Sequence, residues 1–158
     1  MKLSNPVKLI LCIVGCELAG IIGSIFTFPS ITTWYAGLAK PSFNPPNWLF
    51  GPVWTILYLL MGVSLYLFLQ KWKPTKEQKT GLTFFSIQLV LNLLWSIIFF
   101  GFPLPLIAFA EIALLWLSIL FTLIYFRKPS EAAAWLLGPY LLWVSFAAAL
   151  NFSIFLLN

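Results

Sequence analysis

The stretch KPSFNPPNWLFGPVW, residues 40–54, places four prolines within fifteen residues, between two of the most apolar runs of the chain. Proline fixes φ, lacks an N–H and drives the residue before it out of the helical region. Pro45 and Pro46 therefore stop any helix from crossing this segment and hold it extended. Pro52 falls in the first turns of the run that follows, where a missing N–H costs least. The stretch reads as a stiff lid that leads the chain to Trp54, the first deep residue of that run.

Outward from this segment the chain is strongly apolar. Of its 158 residues, 61% are hydrophobic and 8% are charged, against about 25% charged in soluble domains. The class is an all-α integral membrane protein, with a single domain over residues 1–158. A span needs about 20 apolar residues, and five runs qualify: 7–28, 48–69, 82–100, 104–126 and 132–157. The expected architecture is a five-transmembrane-helix bundle, joined by connections 29–47, 70–81, 101–103 and 127–131. The runs are continuous rather than alternating, which argues against a β-barrel.

The net charge is +5, and its distribution carries the information. Lys2, Lys8, Lys71, Lys73, Lys76, Lys79, Arg127 and Lys128 fall on one side of the five spans, and only Lys40 falls on the other. Basic residues in short loops mark the cytoplasmic side. The reading is a multi-pass protein of the cell membrane, with the N-terminus cytoplasmic, the C-terminus outside and no role for nucleic acid. The chain has no histidine, which excludes a catalytic His, a His metal site and imidazole ligation of haem iron. Cys12 and Cys16, four apart in an apolar run, read as small packing residues, since they have no partners for a disulfide framework or a zinc site. Ile13-Val14-Gly15-Cys16 loosely resembles a lipoprotein cleavage site. Cleavage there would leave about a dozen apolar residues before Pro29, too few to span.

Helical spacing sorts the spans into faces. Gly15, Ala19 and Gly23, with Cys16, Gly20 and Ser24 beside them, are small residues that let helices approach closely. Trp54, Tyr58, Met61 and Leu65 align on the second span. Gln88, Asn92, Trp95 and Phe99 align on the third. Ala108, Glu111, Ser118 and Thr122 share a face of the fourth, and Tyr140, Trp143, Ala147, Leu150 and Asn151 one of the fifth. Amides and carboxylates in hydrocarbon need partners, so these faces converge. Two readings stay open: a polar interhelical lock, or an aromatic pocket with a few amides and a carboxylate. Of the eight tryptophans, Trp34, Trp48, Trp72 and Trp135 suit interfacial belts. Trp54, Trp95, Trp116 and Trp143 lie deeper, where an indole stacks on flat ligands and donates one hydrogen bond.

Trp34-Tyr35, Leu38, Lys40-Pro41, Phe43, Pro45-Pro46, Phe50, Pro52, Trp54, Leu57-Tyr58 and Met61-Gly62 resemble the signature of the translocator protein or tryptophan-rich sensory protein (TspO/MBR) family. Leu91-Asn92, Trp95 and the run Pro139-Tyr140, Trp143, Phe146-Ala147, Leu150-Asn151 extend the resemblance over about three quarters of the chain. It implies a five-helix bundle, a homodimer in the lipid bilayer, and a pocket open toward the first connection. Family members bind porphyrins and related flat hydrophobic ligands. The resemblance assigns ligand binding to Tyr35, Pro45, Trp54, Tyr58, Asn92, Trp95, Ala108, Glu111, Leu114, Trp143, Ala147 and Leu150. It assigns light-driven porphyrin breakdown, where that occurs, to Trp54 and Trp143. Two departures stand out: Phe43 replaces a common Trp, and the C-terminal segment lacks the Tyr and basic residue linked to sterol binding.

The function expected is a membrane receptor or sensor for porphyrins, with protoporphyrin IX or haem as ligand and no required cofactor or metal. Lys40 would meet a ligand carboxylate at the pocket mouth. One alternative is light-dependent porphyrin degradation, in which a photoexcited porphyrin exchanges electrons with the indole of Trp54 or Trp143; nothing in the sequence resembles a nucleophile, an acid–base pair or a metal site. Another is a tetrapyrrole or lipid transporter, against which stands the absence of duplicated halves.

Overall fold

In a computed structural model, residues 4–158 are described; Lys2, one of the eight basic residues counted above, lies outside them. The helices are α1 (Asn5–Ile31), α2 (Trp34–Gly37), α3 (Asn47–Gln70), α4 (Lys76–Ser96), α5 (Pro105–Arg127), α6 (Glu131–Leu136) and α7 (Gly138–Leu157). A π-turn, Ile97–Gly101, continues α4. Five helical stretches are long and apolar enough to cross a bilayer: Asn5–Ile31, Asn47–Gln70, Lys76–Gly101, Pro105–Arg127 and Glu131–Leu157. They match the five expected runs one for one.

The differences lie at the ends. The third helix begins at Lys76, six residues before its apolar run, because Thr75 caps it: its hydroxyl accepts from the Gln78 N–H at 3.3 Å. A helix satisfies its own backbone whatever its side chains, so it continues into polar sequence that hydropathy leaves out. α1 runs through Pro29 and stops two residues later. α2 lies inside the first connection, and a turn at residues 42–43 follows it, with the Asn44 N–H donating to the Pro41 carbonyl at 3.0 Å; the chain is extended at Pro46, with φ −58° and ψ 140°. Pro52 is the sixth residue of α3, past the turn of free N–H groups, so it does remove one helical hydrogen bond. The fifth span is interrupted at Leu137, where Pro139 opens α7.

The helices close around two cores. In the first, Phe68 of α3 stacks on Phe126 of α5 with centroids 3.9 Å apart and planes 7° apart. Phe85 of α4 extends that stack on Phe126 at 5.7 Å. α1 meets α3 through glycine: a Cβ at Gly62 would lie 2.9 Å from the Ile13 backbone nitrogen, and one at Gly20 would collide with the Tyr58 ring. The small residues of α1 do not act as one row. Gly23 faces Ser96, whereas Gly15 is exposed with nothing near it. Eight residues turn a helix about 80° past two full turns, so positions 15 and 23 face different ways. Ile10, Ile25 and Phe28 of α1, with Leu106 and Ile124 of α5 and Leu142 of α7, form part of an exposed apolar exterior, the surface that hydrocarbon solvates.

Candidate functional site: an aromatic cavity under a proline-rich lid

The second core lies at the other end, beneath the connection between α1 and α3. α2 delivers Tyr35, whose ring lies 5.8 Å from Phe100 and 6.3 Å from Phe99. Its hydroxyl donates to Asn44 Oδ1 at 2.6 Å, and Asn44 Nδ2 donates to the Pro45 carbonyl at 3.0 Å. Burial pushes the Tyr35 phenol up to about 12, so it remains a donor. Asn158 fastens the lid to α7. Its Oδ1 accepts from the Ala39 N–H at 3.0 Å, and its Nδ2 donates to the Ala39 carbonyl at 3.0 Å and the Ile154 carbonyl at 2.9 Å.

Under the lid, Tyr35, Phe50, Trp54, Trp95, Phe99, Phe100, Trp143, Ala147, Leu150, Asn151 and Ile154 line a cavity of about 20 Å³. That is room for about one water, whereas drug-sized ligands occupy sites of roughly 300–1,000 Å³. The cavity is thus far smaller than such a ligand. The wall rings meet in mixed geometry: Phe50 lies edge-on to Trp143 at 6.2 Å and 72°, whereas Trp95 stacks on Phe99 at 5.1 Å and 15°; outside the lining, Phe43 of the lid lies edge-on to Phe146 at 6.1 Å.

Most polar groups here are occupied. Tyr58 donates to Asn92 Oδ1, and Asn92 Nδ2 donates to the Tyr140 hydroxyl at 2.9 Å. Trp54 sits on both tyrosines, 5.7 Å from Tyr58 and 6.2 Å from Tyr140. Trp95 Nε1 donates to Asn151 Oδ1 at 3.1 Å, and Asn151 Nδ2 donates to the Pro105 carbonyl at 2.8 Å. Asn92 and Asn151 are therefore interhelical locks; Asn151 also stands in the cavity wall, whereas Asn92 does not reach the space. Three groups are buried with unpartnered atoms: Trp143 Nε1, both Glu111 carboxyl oxygens, and Gln88 Oε1. Trp143 is the one of these residues that lines the cavity.

Six of the twelve residues assigned from the resemblance line the cavity: Tyr35, Trp54, Trp95, Trp143, Ala147 and Leu150. Tyr58 and Asn92 sit below it. Ala108 is fully buried in the same core without reaching the space, Glu111 is buried but not part of the lining, and Pro45 belongs to the lid. Leu114 lies apart from the cavity: it is 57% exposed on the outer surface, roughly 100° round α5 from the buried row of Ala108, Glu111 and Leu115. Lys40 is not free at the mouth. Its ammonium lies 4.8 Å over the Tyr35 ring and donates to the Ala36 and Leu38 carbonyls. Trp34, read as a belt residue, packs edge-on to Phe99 at 5.4 Å, and Trp116 leaves the site to bond Ser145 Oγ at 2.8 Å. Phe100 and Ile154 were not legible as lining residues. The π-turn brings consecutive Phe99 and Phe100 both inward, against regular helical spacing.

Five apolar helices around an aromatic cavity define an all-α, multi-pass membrane bundle. The chain belongs to the TspO/MBR family, whose model matches residues 12–157. It is 47% identical to the tryptophan-rich protein TspO of Archaeoglobus fulgidus, over 98% of this chain and 99% of that one. It is 38% identical to the human translocator protein, over 89% and 81%. It is 36% identical to the tryptophan-rich sensory protein of Cereibacter sphaeroides, over 79% and 77%.

Proposed function

We propose that this protein is a membrane receptor or sensor that binds a porphyrin between the lid and the floor formed by Trp54, Tyr58 and Tyr140. The observation that carries the reading is the cavity itself, walled by Trp54, Trp95 and Trp143 with the Trp143 N–H unpartnered. Flat π-faces suit a macrocycle, and an unpaired buried donor is costly until a ligand acceptor meets it. Because the closed cavity is small, binding requires the lid to lift, and Lys40 is then released toward a ligand carboxylate. The names of the relatives, sensory protein and translocator protein, agree with a receptor role. On this reading the protein lies in the cell membrane with the lid outside and the basic end cytoplasmic, and it works as a homodimer.

Micromolar protoporphyrin IX is expected to quench the tryptophan fluorescence of the purified protein, and Trp143→Phe to weaken that binding about tenfold by removing one buried hydrogen bond. No quenching in folded protein would end the proposal. A second reading, light-driven porphyrin breakdown, is favoured by the placement of Trp54 and Trp143 on the same cavity. A photoexcited porphyrin there takes an electron from an adjacent indole. Equal product yield from illuminated wild type, Trp54→Phe and Trp143→Phe would reject it.

A further inference from the structure

At the end of the bundle away from the cavity, a groove of about 500 Å³ runs between the first turns of α1 and the last turns of α3. We propose that it binds one anionic glycerophospholipid. Lys8 from α1 and Lys71, just past α3, stand at its outer end, and Leu11 and Leu69 form apolar wall further in. Between them Gln70 Nε2 donates to the Tyr66 hydroxyl at 2.6 Å, which leaves that hydroxyl's own proton to offer. No acidic residue lines the groove.

The surroundings reinforce the sign. α1 begins without a side-chain cap and without an acidic residue in its first turn, so its free N–H groups add positive potential at the same end. The described basic residues of this end, Lys8, Lys71, Lys73, Lys76, Lys79, Arg127 and Lys128, face only Glu77 and Glu131 as acids. A phosphate held between two lysines at the interface, with its acyl chains along Leu11 and Leu69, matches both halves of the groove. Basic pockets between membrane helices favour such headgroups, each nearby lysine contributing about fivefold in affinity.

The test is native mass spectrometry of the full chain in neutral detergent, titrated with phosphatidylglycerol and with phosphatidylcholine of the same acyl chains. Phosphatidylglycerol is expected to be retained about thirtyfold better, and Lys8→Ser with Lys71→Ser to abolish the difference. Lys73→Ser with Lys79→Ser removes equal charge away from the groove and is expected to leave retention within about twofold. Leu11→Trp fills the groove at constant charge and is expected to weaken retention, which keeps the test open if the lysine variant folds poorly. Four results overturn the site. These are equal retention of the two lipids, equal losses in the two lysine double variants, unchanged retention in Leu11→Trp, or displacement of the lipid by millimolar inorganic phosphate, which would mark a soluble-anion site.

Discussion

The two aromatic ends of the bundle are built from similar residues and packed in different ways. At the basic end, Phe68, Phe85 and Phe126 are parallel, nearly inaccessible and carry no polar atom. At the lid end, aromatic side chains meet edge-on, tilted and, at Trp95 and Phe99, stacked around a gap, four of the lining rings bear N–H or O–H groups, and the cover is a connection that carries only the short α2. Stacked phenyl rings fill space and leave nothing for a ligand to gain. Edge contacts around Trp143, with its N–H unpaired, leave both area and a donor in reserve. The difference separates a region that is filled from one that keeps a small cavity and an unpartnered donor.

The largest expected effect tests the first half of that contrast. Phe126→Ala removes the ring at the centre of the stack and should cost about 2–3 kcal/mol in a thermal or denaturant melt of the detergent-solubilised protein. This is below the value for a water-soluble core, because lipid rather than water is the alternative environment for the ring. Unchanged stability would show that the stack is not the anchor. Asn158→Ala should act on the lid alone. Losing its three hydrogen bonds to Ala39 and Ile154 should speed porphyrin association several-fold while leaving the melt within about 0.5 kcal/mol. A slower association would mean that the Asn158 clamp positions the site instead of closing it. The smallest effect is a null one. Tyr35 is raised toward 12 by burial, so it keeps its proton, and its bond to Asn44, below the ordinary phenol range near 10. The stability that this bond gives the lid is present throughout that window and is lost only as pH rises toward 12. From pH 6 to 9 the ratio of porphyrin affinity between wild type and Tyr35→Phe should therefore stay constant; a ratio that changes with pH would contradict the assignment.

Much of this molecule was legible because a bilayer simplifies the reading. Backbone groups in hydrocarbon must bond within their own helix, so twenty apolar residues state a span and its place almost without context. That logic located all five helices, and the helical period put Trp54, Trp95, Trp143, Ala147 and Leu150 on faces that meet at one cavity. It failed where the period changes or where polarity and helicity part company. The π-turn at Ile97–Gly101 carried Phe100 inward, and Thr75 started a helix in charged sequence. The long proline-rich connection disclosed its stiffness, but not that Asn158, 119 residues distant from Ala39 in sequence, clamps it.

The sequence by itself determined the class, the number of spans, the charge asymmetry and the aromatic content of one end, since each follows from local composition and spacing. Tertiary structure alone decided that the amides Asn92 and Asn151 are consumed in locks, that Trp143 keeps a free N–H, and that the cavity is shut. Those outcomes depend on which partner each polar atom finds across helices, and partners distant in the chain leave no mark on local pattern.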